Sequence, residues 1–287
     1  MKVSKIKLLS AMGIFGTIGI FVKFIPLSSA AIACFRGALG VLFLAAIMLL
    51  TGKKPDLKAI KKNLILLFLS GAAMGFNWIA LFESYQYTTV ATATVCYYLA
   101  PLFLLLASPL LGEKLTLKKL LCIAIALVGM VFVSGIMDGP LPAAGEFRGI
   151  LLGTVAAVLY ASVMFLNKKL SPIGAYDKTI IQLFSSFIVI LPYLLMTQES
   201  RLSGLTGTHW ALLAIVCIVH TGIAYALYFD SIKKLSAETV ALFSYLDPVI
   251  AIILSALLLK EPMSVTGIIG TVLILGSALY SEIPTKK

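Results

Sequence analysis

The chain has 287 residues, 60% of them hydrophobic and 12% charged, with a mean hydropathy of +1.05. A water-soluble domain carries about a quarter charged residues, so this composition excludes one and points to a bilayer. The net charge of +11 does not make the chain a nucleic-acid binder, because its basic residues lie in short stretches between apolar blocks.

Apolar runs close to the roughly 20 residues needed to cross hydrocarbon recur ten times. In chain order they are 8–25, 30–50, 63–87, 90–111, 116–135, 148–167, 174–196, 209–232, 238–259 and 264–281. This predicts an all-α integral membrane protein with ten transmembrane helices. The opening Lys2, Lys5 and Lys7, the apolar run and Ser28-Ser29-Ala30 imitate a cleavable leader. Cleavage would remove one arm of a duplicated pattern, so the segment reads as a retained first span.

Counting loops alternately, one side holds Lys2, Lys5 and Lys7, then Lys53, Lys54, Lys58, Lys61 and Lys62, then Lys114, Lys118 and Lys119. The same side holds Lys168, Lys169, Lys178, Lys233, Lys234, Lys286 and Lys287. The other side holds only Lys23, Arg148, Arg201 and Lys260, and Arg36 lies inside a span. This bias predicts a multi-pass cell-membrane protein with both termini cytoplasmic. Cys34, Cys96, Cys122 and Cys217 all fall inside spans, with no C-x-x-C pair and no histidine at ligand spacing, and read as packing residues. No metal and no cofactor is expected.

The last five spans repeat the first five. At an offset of 147, Gly75 meets Gly222, Phe82 meets Phe229, Glu83 meets Asp230 and Ser84 meets Ser231. Thr92 meets Thr239, Tyr98 meets Tyr245 and Pro101 meets Pro248, and one added residue later Glu113 meets Glu261. An odd number of spans, once duplicated, must run in opposite directions through the bilayer. The expected units are therefore 1–136 and 147–287, two inverted five-helix repeats.

The stretches at 84–116 and 231–264 are two copies of one pattern: the end of a third span, a fourth span, a proline and a closing glutamate. That doubled pattern, with Arg36 in the second span, resembles the EamA-like family of the drug/metabolite transporter superfamily. The first copy is one residue shorter between Pro101 and Glu113 and carries Pro109, and the second has Lys260-Glu261 where Gly-Glu is usual. The resemblance implies a central cavity lined by spans 1, 3, 4, 6, 8 and 9. It also implies transport of small metabolites, often amino-acid-like and often outward.

Polar side chains within a span are expensive and so mark functional candidates. Near mid-span lie Asp247, His220 and Asn77, with Tyr98 and Tyr245 flanking the equivalent prolines. A proline frees a carbonyl one turn earlier and weakens the helix there. Asp247 would contact a substrate amine or carry a proton, or else pair statically with Tyr245 or Ser244. His220 is read as cavity-lining, in one stripe with Ala224 and Tyr228, or alternatively as a packing residue. Trp78, Tyr97, Tyr160 and Tyr225 add aromatic surface. Nearer the two surfaces, Lys23, Arg36 and Glu83 form one charged group, while Lys168, Lys169 and Asp230 form the other. These are candidate gates, or static interfacial ion pairs.

An enzyme is not expected: H-E-x-x-H, G-x-S-x-G and Walker A patterns are all absent. The expected function is a secondary transporter of small polar, amino-acid-like metabolites, an exporter or exchanger working by alternating access. Its partners would be the lipid bilayer, the solute and, if Asp247, His220 or Glu83 titrates, protons. The alternative is a passive facilitator or pore, which would want a polar stripe running through the whole bilayer.

Overall fold

The computed structural model describes residues 2–112, 116–133, 137, 144–197, 204–232, 235, 240, 243–261 and 263–282. Glu113, Lys114, Arg201, Lys233, Lys234, Thr239, Lys286 and Lys287, named above, lie outside them. Among the described residues all regular structure is helical. The helices are α1 (Lys2–Lys23), α2 (Ser29–Leu50), α3 (Leu57–Tyr87), α4 (Val90–Tyr97), α5 (Ala100–Leu106) and α6 (Leu117–Val133). They continue as α7 (Ala144–Lys168), α8 (Ala175–Met196), α9 (Gly207–Ala214), α10 (Ala224–Ile232), α11 (Leu246–Leu258) and α12 (Val265–Glu282). A π-helical segment, Ile215–Ile223, joins α9 to α10 without a break.

Lys2–Lys23, Ser29–Leu50, Leu57–Tyr87, Ala144–Lys168, Ala175–Met196 and Gly207–Ser231 are each long and apolar enough to cross a membrane, and shorter apolar helices accompany them. Local signals fix several starts. Ser28 Oγ accepts from the Ala31 amide, Asp56 from Ala59 and Thr89 from Thr92, each satisfying a first-turn N–H. Capped by Asp56, α3 starts at Leu57, six residues before the predicted span, and the added residues carry Lys58, Lys61 and Lys62.

The predicted fourth span is divided. α4 stops at Tyr97, Tyr98 and Leu99 form a turn, and α5 restarts with Pro101 in its first turn. The pseudo-equivalent site repeats this geometry: Tyr245 is a turn residue, α11 begins at Leu246 and Pro248 follows. In both places the missing proline N–H leaves a carbonyl four residues back, at Tyr97 and Ser244, without its helical partner.

Packing crosses between the two halves. α1 lies against α10, α11 and the π segment, whereas α7 lies against α3, α4 and α5. α2 packs on α8 and on the π segment, α3 packs on α8, and α6 packs on α12. Close approaches need glycine: a Cβ at Gly16 would stand 2.7 Å from the Asp247 carbonyl oxygen, and one at Gly270 would meet the Gly129 carbonyl. The four cysteines are buried and free.

Candidate functional site

A cavity of about 600 Å³ opens where these crossed helices meet. α1 supplies Phe15, Gly16, Ile18 and Gly19 to its wall, and α3 supplies Asn77, Trp78 and Phe82. The α4–α5 break supplies Tyr97, Tyr98 and Pro101, α7 supplies Tyr160 and Met164, and α10 supplies Tyr225 and Tyr228. Ser244, Tyr245, Asp247 and Ala251 complete it around the second break, and Arg36 enters from α2. The volume is in the range of small-molecule sites.

The two breaks face each other here. Tyr98 donates its hydroxyl hydrogen to Asp247 Oδ2 at 2.8 Å, and the same oxygen stands 3.2 Å from the Ser244 carbonyl. A tyrosine from the first break thus reaches the carbonyl that Pro248 leaves unpaired in the second. Position 100, the repeat equivalent of Asp247, is alanine, so only one half contributes a carboxylate. Asn77 Nδ2 donates to the Ala156 carbonyl at 2.6 Å and ties α3 to α7. Aromatic rings line the rest: Tyr97 stacks on Tyr160 with centroids 5.2 Å apart, and Tyr98 lies 6.0 Å from Tyr245. Phe15 lies 5.5 Å from Tyr225.

Of the residues named from sequence for substrate contact, Asp247, Asn77, Tyr98, Tyr245, Trp78, Tyr160 and Tyr228 all belong to this wall. His220 does not. Its Nε2 lies 2.8 Å from Thr17 Oγ1, its Nδ1 lies 3.3 Å from the Ile215 carbonyl, and its ring meets Phe21 edge-on at 5.0 Å. The expected stripe of His220, Ala224 and Tyr228 assumes a period of 3.6, and the π segment inserts a wider turn that rotates His220 away.

The charged groups also differ from expectation. Lys23 pairs with Glu261, not Glu83, at 3.0 Å. Glu261 Oε2 accepts from the Val90 amide at 3.0 Å and from Ser255 Oγ at 2.7 Å, so one carboxylate joins the ends of α1, α4 and α11. Glu83 accepts from Ser29 Oγ at 2.8 Å. Arg36 is buried in the cavity wall, because the rotation of α2 turns it inward. At the other end of α1, Lys7 pairs with Asp230. Lys168 closes α7, and Lys169 Nζ lies 4.5 Å from the Phe165 ring centroid. Sequence reading missed Glu261 and Lys7 as partners because each pair joins residues more than 200 positions apart, which no local pattern signals.

The profile of the EamA-like transporter family matches residues 5–135 and again 147–281. The chain belongs to that family. This EamA-like protein is 32% identical to the uncharacterized transporter YxxF of Bacillus subtilis, over 87% of this chain and 79% of that one. It is 26% identical to an uncharacterized transporter of Archaeoglobus fulgidus, over 93% of this chain and 91% of that one. Protein PecM of Dickeya dadantii is 28% identical over 75% of this chain and 73% of its own length. A solved crystal structure with 19% identity superposes over 98% of this chain and 97% of its own with a TM-score of 0.62, a likeness of fold alone. The EamA-like protein is a multi-pass membrane protein.

Proposed function

We propose that this EamA-like protein is a secondary transporter of small polar, amino-acid-like metabolites, exporting or exchanging them by alternating access. One observation carries the reading: a single cavity holds a guanidinium and a carboxylate, Arg36 and Asp247, that form no ion pair with each other, inside a wall of aromatic rings at two helix breaks. Such a wall suits a small solute with charge at both ends and a carbon skeleton between. Broken helices near mid-bilayer offer backbone and side-chain groups to solutes in transporters.

The crossed packing supports two inverted repeats, 1–136 and 147–287: α1 sits on the second half as α7 sits on the first. Lys23–Glu261 and Lys7–Asp230 supply the two gates. They lie 16 residues apart along α1, about 24 Å of helix rise. Lys168 and Lys169 reinforce the second gate electrostatically, and the lysine bias puts both termini in the cytoplasm of a cell-membrane protein. Asp247 is the group in the cavity that carries a coupled proton.

The test is counterflow in proteoliposomes loaded with an unlabelled amino-acid mixture and given labelled tracers outside. Expected are saturation, trans-stimulation and loss of both in Asp247→Asn. Flux that rises linearly with concentration and ignores internal solute makes the protein a pore. Flux indifferent to an imposed pH gradient removes the proton from the mechanism.

A further inference from the structure

Arg36 is 3% exposed, and its Cζ lies 3.9 Å from the Trp78 ring centroid and 5.3 Å from that of Phe82. Its Nε donates to Thr221 Oγ1 at 3.0 Å, and the Thr221 hydroxyl donates onward to the Val216 carbonyl at 3.2 Å. Among the described residues that is the one hydrogen bond the guanidinium makes, although it lines the cavity. Among the described residues its two terminal nitrogens therefore have no acceptor.

A guanidinium at membrane depth is costly, and bases there are ordinarily paired with acids or carbonyls. Here the fold holds one from behind and leaves its fork open. Trp78 covers one face of the plane and the π segment holds the back edge. Thr221 bonds five residues back, a reach that the widened turn provides; such turns recur at functional sites. The other charge in the wall, Asp247, takes its hydrogen bond from Tyr98 and not from Arg36. A planar fork of N–H donors matches a carboxylate or a phosphate in a two-point contact. The aromatic wall beside it favours an organic anion over a bare inorganic one.

We infer that Arg36 is the anchor for the carboxylate of the solute, with Thr221 as the positioning residue that sets the angle of its fork. The inference deepens the proposed transport reading and rests on it for the solute's passage, while binding itself is tested apart from flux. The chain has two tryptophans, so Trp210→Phe leaves Trp78 as the single reporter against the guanidinium. The purified full chain in detergent is titrated with each of the common amino acids. Every one that responds is then compared with its amide and its decarboxylated amine, and chloride and inorganic phosphate are run alongside.

At least one free amino acid should change Trp78 emission saturably, with its amide and amine binding about 10–100-fold more weakly, the range expected for a charge-assisted contact. Arg36→Lys keeps the charge without the fork and should weaken binding about tenfold, and Arg36→Gln should do so about a hundredfold. Thr221→Val should reduce affinity, and Thr221→Ser should restore it. An amide that binds as tightly as its acid overturns the proposal without recourse to any variant. Chloride or phosphate binding more tightly than any amino acid overturns it in favour of an inorganic-anion site, and silence to every carboxylate overturns it outright. Intact binding with failed counterflow would instead sink the transport reading and leave the anchor standing.

Discussion

Tyr98 joins the two helix breaks through one oxygen, which lies 2.8 Å from the Asp247 carboxylate and 3.2 Å from the Ser244 carbonyl. Tyr98→Phe keeps the ring beside Tyr245 and Tyr97 but removes the hydroxyl hydrogen that Asp247 Oδ2 accepts. Losing such a hydrogen bond at a half-buried site costs about 0.5–1.5 kcal/mol. We expect a lower unfolding temperature in detergent and a counterflow rate reduced at least severalfold. A variant that matches the native protein in both measurements would mean that the bridge between the breaks is idle. The carboxylate itself was legible in the sequence, because an aspartate beside a proline inside an apolar run stands out on cost alone. So were Asn77 and the tyrosines. His220 and Arg36 stand where the sequence pattern does not place them, for a common reason: sequence gives depth along a helix, but rotation about it depends on packing. The π segment turns His220 toward Thr17, and the seat of α2 on α8 turns Arg36 into the cavity.

At the level of the element, α1 is the helix on which most of these contacts converge. Ion pairs hold it at each end and Thr17 meets His220 in its middle, while Gly16 and Gly19 admit its backbone to the cavity wall. A Cβ at Gly16 would come 2.7 Å from the Asp247 carbonyl and 2.8 Å from Ile250 Cβ, and neither partner is a free side-chain end. Gly16→Ala should therefore push α1 off α11, lowering stability by about 1–3 kcal/mol and abolishing flux. Gly13→Ala, three residues earlier with nothing within 4 Å, should be neutral or stabilising by up to about 1 kcal/mol. Equal unfolding temperatures for the two variants would refute the tight seat of α1. The span pattern carries no hint of this arrangement. Hydropathy marks where helices are, and the offset of 147 relates them in pairs, but neither tells which half a helix packs against. The exchange of α1 and α7 between halves is a tertiary outcome of small residues meeting at a distance in sequence.

For the whole molecule, the two ends of α1 are closed by different partners. At one end Glu261 gathers Lys23, the Val90 amide and Ser255; at the other Asp230 holds Lys7. If the halves rock about the cavity, these closures should open in turn and never together, since each is made by the approach of α1 to a different helix end. A cysteine at Ile18, on the cavity wall toward Lys23, reports one opening, and a cysteine at Leu235 the other, in a background lacking the four native thiols. Glu261→Gln should raise labelling of the first by a membrane-impermeant thiol reagent from the Lys23 side and lower that of the second. Asp230→Asn should do the reverse. The sidedness follows the lysine bias: in right-side-out cells the Lys23 end should label from outside and the Lys7 end only after permeabilisation. If either substitution exposes both cysteines at once, the cavity runs open to both faces and the protein conducts as a pore. If neither changes labelling while flux is normal, the ion pairs are fixtures of the fold and the gates lie in the aromatic wall itself.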